Sequence, residues 1–277
     1  MLQVIISPAK QMRVARDSFA PRGIPPFPEQ TEQLFHELRR IERNEGAEGL
    51  RRLWNVNDAL LAQNMELLDR FEAVRDEAVL DDPAIATLVS PAVFSYVGIQ
   101  YRSLAPEVLD LDALTWLQEH LWIVSGFYGC VRPFDAVEPY RLEMGARLAV
   151  DGARDLYAFW GDRIARTITA HQPITPVPNG GQTVVNLASV EYAKAVLPHL
   201  SSDTQIITCI FGEELRDGKA VQRATASKIA RGSMVRWMAE RSCADAAELT
   251  AFNVGYRLAP ELSEHGGRAS RLVFLRA

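Results

Sequence analysis

The chain has 277 residues, 48% hydrophobic and 23% charged, the balance of a globular protein with enough apolar side chains for a sizeable core. No apolar run reaches the ~18 residues of a bilayer-spanning helix, and MLQVIISPAK lacks a basic leader, so neither a membrane anchor nor a signal peptide is expected. With 30 Lys and Arg against 35 Asp and Glu the net charge is −5, which excludes a generic polycationic nucleic-acid coat and leaves only a local basic patch for such binding.

Leu2 to Ile6 reads as a buried first strand stopped by Ser7-Pro8. Residues 13–28, with Pro21, Pro25, Pro26 and Pro28, read as an extended surface segment. Thr31 to Arg43 carries Leu34, Leu38 and Ile41 at helical spacing, Gly46 and Gly49 punctuate a turn, and a second helix follows to about Val74. Residues 31–74 thus have the outline of a helix–hairpin–helix element, with Arg43, Arg51 and Arg52 near its turn; an antiparallel helix pair with solvated arginines has the same outline. Leu121 to Ser125 is a short apolar strand.

Asp155 can cap a helix carrying Leu156, Phe159, Trp160 and Ile164. His171 to Gln182, with three prolines and Gly180-Gly181, is a loop. Val184 to Leu187 is a strand and Ser189 with Glu191 starts a helix. Ile206 to Phe211 is a strand, Asp217-Gly218 a hairpin turn leading to Ala220 to Thr225, Lys228 to Glu240 a helix and Leu272 to Leu275 a last strand. No linker or repeat divides the chain. The expected fold is therefore α+β (mixed α/β), one domain over 1–277, with a mixed sheet flanked by helices and proline-rich loops inserted.

The cysteines Cys130, Cys209 and Cys243 and the five histidines are scattered, without CxxC or HExxH spacing, so no metal site and no cofactor are expected, and a reduced cytoplasmic protein fits. There is no GxSxG, P-loop or strand-borne GxGxxG, and no catalytic set is assigned. Ser7 and Lys10 resemble a Ser–Lys pair, but no oxyanion motif accompanies them. The densest polar stretch is Val124 to Gly145, where glycines and prolines hold Arg132, Asp135, Tyr140, Arg141 and Glu143 on a rigid irregular loop. The best basic patch runs from Arg223 to Arg236, with Lys228, Arg231 and Arg236 suited to phosphate oxygens. Asn186, Ser189, Glu191 and Tyr192 follow a buried-type strand, where α/β folds open a crevice. Trp160 and Asp162 in DLYAFWGD are further cleft candidates, although Trp160 suits a core position better.

SPAK at 7–10, LWNVNDALLAQN at 53–64, SGFYGCVRPFDAVEPYRLEMG at 125–145, DLYAFWGD at 155–162, NLASVEYAKAV at 186–196 and KIARGSMVRW at 228–237 together resemble the YaaA peroxide-stress protein family, in family order and over nearly the whole chain. The resemblance implies a cytoplasmic protein that helps cells withstand hydrogen peroxide by limiting free iron, a mixed α/β fold with a positively charged cleft, a helix–hairpin–helix element and binding of duplex DNA. It implies no particular reaction. The chain departs from the family at Val97 and Ile99, where a Lys and the Asp of GDVY are usual, and at Gln11, Val190 and Ile229.

Three readings follow. The first is a peroxide-stress protein that binds double-stranded DNA without reading sequence, through Lys10, Arg132, Arg141, Lys228, Arg231 and Arg236. The second is an enzyme on a nucleobase- or nucleotide-like small anionic ligand in the same cleft, with Ser7, Tyr140, Asn186, Ser189, Glu191 and Tyr192 along its walls and Glu143 or Asp162 as base. The third is an interaction protein in which Arg141–Glu143 and Arg132–Asp135 are internal ion pairs.

Overall fold

A computed structural model describes residues 1–171 and 181–277. Most of the loop expected across 171–182 lies outside those residues. The framework is a seven-stranded mixed sheet. Its strands are β1 (Leu2–Ile6), β2 (Leu121–Ser125), β3 (Gly129–Val131), β4 (Gln182–Leu187), β5 (Thr204–Gly212), β6 (Tyr256–Leu258) and β7 (Ala269–Arg276), in the order β6-β7-β5-β4-β1-β2-β3. The five central strands are parallel, and β3 and β6 close the two edges antiparallel. β1, β2 and most of β4 are buried on both faces, which explains their largely apolar composition. One apolar core runs from Leu2 to Phe274.

Helix α1 (Pro28–Trp54) starts on a proline, whose fixed φ suits the first turn. Leu34, Leu38 and Ile41 are buried, as their spacing predicts. The turn expected at Gly46 and Gly49 is not where the chain reverses. Gly46 kinks the helix at φ 64°, but helix resumes and ends at Asn55, which takes the left-handed conformation at φ 48°. Asn57 then caps α2 (Asp58–Arg70), its Oδ1 accepting the Leu60 N–H at 3.0 Å. The two helices pack on each other.

Further along come α3 (Ile99–Leu104), α4 (Leu111–His120), α5 (Leu156–Trp160), α6 (Arg163–Ala170), α7 (Val190–Ala193) and α8 (Ala224–Glu240). The single helix expected after Asp155 is two, because Gly161 at φ 52° breaks it. The turn at Asp217-Gly218 is present, but it joins the short ribbon strands Glu214–Arg216 and Lys219–Val221 rather than β5 and a strand to Thr225. Thr225 is already inside α8.

β1 is the strand where the winding reverses. The chain leaves it toward β2 on one side and returns at β4 on the other. The carboxyl ends of β1 and β4 therefore lie side by side at a topological switch point, where open α/β sheets leave a crevice.

Candidate functional site

Ser7 leaves β1 and Ser189 leaves β4 at that switch point, and a cavity of about 590 Å³ opens there. The Ser7 hydroxyl accepts the Ser189 N–H at 2.8 Å and lies 3.3 Å from the Ser189 hydroxyl. The Ser7 carbonyl accepts from Gln100 Nε2 and Tyr101 Oη, both at 3.0 Å. These four bonds tie the ends of two core strands to α3, so the floor of the cavity is fixed by backbone groups. Ser7 and Lys10 do not form a nucleophile pair, because the Lys10 ammonium binds Glu143 at 3.1 Å.

The cavity wall contributed by the 125–145 loop carries Tyr140, Arg141 and Glu143. The Arg141 guanidinium is 8% exposed, donates to Glu143 at 2.6 Å and reaches the Lys10 carbonyl at 3.1 Å. Its Nε has no partner among the described residues. Glu143 thus accepts from two cations and holds them in place. The Tyr140 hydroxyl lies 2.6 Å from Ser125 and 3.2 Å from Tyr96. Burial pushes its pKa up to about 12 and raises those of Tyr96, Tyr101 and Tyr192, so these phenols stay neutral well above physiological pH.

The cavity is also lined by Lys228 and Arg231 of α8 and by Arg102 of α3. Lys228, Arg231 and Arg102 make no ion pair among the described residues, and the Arg231 Nε is buried without a hydrogen-bond partner. Burial lowers the Arg231 pKa from its ordinary value, the penalty a nearby anion would offset. Two carboxylates, Glu143 and Glu191, face five cations around the cavity, and the Glu191 carboxylate accepts the Gly145 N–H at 2.8 Å. The electrostatics are those of an anion site with a net positive lining.

The structure gathers Ser7, Lys10, Tyr140, Arg141, Glu143, Ser189, Glu191, Tyr192, Lys228 and Arg231 on this one cavity. The other sequence candidates lie elsewhere. Arg132 donates through Nε to the Gln118 carbonyl at 3.0 Å and lies over the Trp122 ring. Asp135 is 5% exposed and accepts the Arg132 backbone N–H at 2.7 Å, so that pair is a loop clamp rather than a side-chain ion pair. Arg236 donates to Glu240 at 2.8 Å, because five residues turn it about 140° around α8 from Arg231. Trp160 is fully buried, its indole N–H donating to the Gly126 carbonyl at 3.0 Å. Asp162 is exposed beside Arg166 at 3.6 Å. Asn186 is buried in β4, where its Oδ1 accepts the Ala188 N–H at 3.0 Å.

Val97, just before α3, and Ile99, which opens it, the positions where the chain departs from the YaaA pattern, line the cavity. The wall from α2 was not expected: Val56 from the α1–α2 connection and Leu60, Asn64 and Leu67 from α2 also line it. Leu60 and Leu67 fell beside the main apolar stripe of α2, and that offset was the available signal. Arg43, Arg51 and Arg52, expected near the turn, do not line it. Arg51 reaches Glu48 at 3.2 Å and Arg52 reaches Glu45 at 2.7 Å. All three cysteines are buried free thiols. Among the described residues no three His, Cys, Asp or Glu gather as a metal-binding group, and no helix is long and apolar enough to cross a membrane.

A mixed sheet flanked by helices, with a cation-lined cavity at its switch point, defines a mixed α/β protein. The family described as "Peroxide stress protein YaaA" matches residues 2–262. A UPF0246 protein of Lactiplantibacillus plantarum is 38% identical over 275 residues, covering 99% of both chains. One from Desulfitobacterium hafniense is 37% identical over 277 residues, covering 100% of this chain and 98% of its own. Another from Limosilactobacillus fermentum is 39% identical over 264 residues, covering 95% and 96%. The chain belongs to the YaaA peroxide stress protein family.

Proposed function

We propose that this protein serves the peroxide stress response by binding double-stranded DNA at the mouth of the cavity, without reading sequence, and so limits the damage that iron and peroxide do to DNA. The observation that carries this reading is the unpaired cation set, Arg102, Lys228 and Arg231, on one cavity of an otherwise acidic protein. Phosphate oxygens accept charge-assisted hydrogen bonds from such groups, and these contacts position a duplex without specifying its sequence. A duplex, whose major groove alone is about 12 Å wide, meets only the mouth of a cavity this size. The α1–α2 pair is then the helix–hairpin–helix element, offering the Asn55–Asn57 connection beside the same mouth. Fluorescence anisotropy with a labelled duplex tests the reading in the double variant Lys228→Ala/Arg231→Ala. Each lost charge-assisted contact costs about 1.5 kcal/mol, so affinity should fall at least tenfold. Unchanged affinity, or no duplex binding by the wild type at low salt, would overturn it.

A second reading, a nucleotide-like small anion as the ligand, draws on the cavity volume of about 590 Å³, within the range of small-molecule sites. Millimolar nucleotides should then raise the unfolding temperature while duplex DNA does not.

A further inference from the structure

Two kinds of side chain line the cavity. Arg102, Lys228 and Arg231 are cationic. Val56, Leu60, Leu67, Val97 and Ile99 are apolar, supplied by α2, its preceding connection, and the residues leading into and opening α3. Asn64, 8% exposed, lines the cavity with these apolar groups. Arg141 has an unpartnered buried Nε on the same cavity. A backbone phosphate alone would use the cations and leave the apolar side chains wet.

We propose that the cavity receives a single nucleotide turned out of the duplex. This inference rests on the DNA reading above and adds what enters the cavity. The nucleotide's phosphates stay at the mouth with Arg102, Lys228 and Arg231. Its base slides between Leu60 and Leu67 on one side and Val97 and Ile99 on the other, and the Asn64 amide meets the polar edge of the base. Proteins that hold an extruded base combine these elements: apolar contact on its faces, hydrogen bonds on its pairing edge, and phosphate anchors outside. Extrusion costs least where the base is mismatched or otherwise unpaired, so such sites in DNA are the preferred ligand.

The test uses a duplex with 2-aminopurine placed either in a matched pair or in a mismatch, with binding followed separately by anisotropy. At saturating protein, 2-aminopurine emission should rise several-fold as the base leaves the stack, and more readily in the mismatched duplex. Leu60→Trp and Val56→Trp, each checked for a wild-type circular-dichroism spectrum, should lose that rise at saturation because the indole takes the space the base would occupy. Duplex binding with no emission change in either duplex would overturn the inference and leave the DNA reading standing. A rise that both tryptophan variants retain would also overturn it, since the base would be going elsewhere. No duplex binding at low salt would remove both the inference and the reading beneath it.

Discussion

Glu138 is 5% exposed, and its carboxylate accepts the Glu72 N–H at 3.0 Å. Burial raises its pKa from an ordinary 4.5 to about 7. The unfolded chain therefore loses this proton near pH 4.5 while the folded chain keeps it to about pH 7. The contribution is fully present below the unfolded value and is lost as pH climbs through the folded one. Each pH unit between costs about 1.4 kcal/mol, about 3 kcal/mol in all. Glu138→Gln keeps an oxygen to accept the Glu72 N–H and removes the titration. Urea denaturation at pH 5 and pH 8 should show the wild type losing stability between them and the variant losing about 2.5 kcal/mol less, since part of the effect is already lost at pH 5. An identical loss in both would contradict the assignment. Asp135, raised by burial to about 7, adds a parallel loss in both proteins.

At the scale of elements, the contact that shapes the cavity is between α8 and α3. A Cβ built on Gly232 would lie 2.0 Å from the Gln100 carbonyl oxygen, a backbone atom that cannot move away alone. Only glycine lets the helix carrying Lys228 and Arg231 sit this close to the helix carrying Arg102. Gly232→Ala should push the two apart, with a loss of stability of about 2 kcal/mol or more by chemical denaturation and weaker duplex binding. A variant with wild-type stability would show that the helices can separate freely. Elements of this kind were legible in the sequence wherever one buried face repeats, as at Leu34, Leu38 and Ile41. Glycines misled. Gly46 kinks α1 without ending it, and Gly49 is required because a Cβ there would meet the Ile41 Cγ2 at 2.9 Å. Punctuation residues mark unusual backbone, and the sequence alone does not distinguish a bend from a reversal.

At the scale of the whole molecule, the site exists because strand order brings distant segments to one point. SPAK, the 140–143 segment, Ser189 to Tyr192 and the start of α8 are far apart in the chain and share one cavity. Their polar character stood out in the sequence because rigid loops and strand ends carry it. The apolar wall from α2 did not stand out, since periodicity shows that a face is apolar without showing whether core or open space lies opposite. Arg132 and Arg236 show the converse limit, where charge in a motif marks a loop clamp or a solvated helix face. A net charge of −5 gives the protein no general attraction for DNA, so the proposed binding would be focused at the mouth and would release counterions there.

The salt dependence of duplex binding therefore tests the account most directly, measured by anisotropy from low to physiological salt in the wild type and in Lys228→Ala/Arg231→Ala. The account predicts a linear fall of log affinity with log salt, shallower in the variant by about 0.9 for each phosphate contact removed, or roughly 2 for the pair. A flat wild-type response, or the same slope in both proteins, would contradict a DNA contact at this cavity.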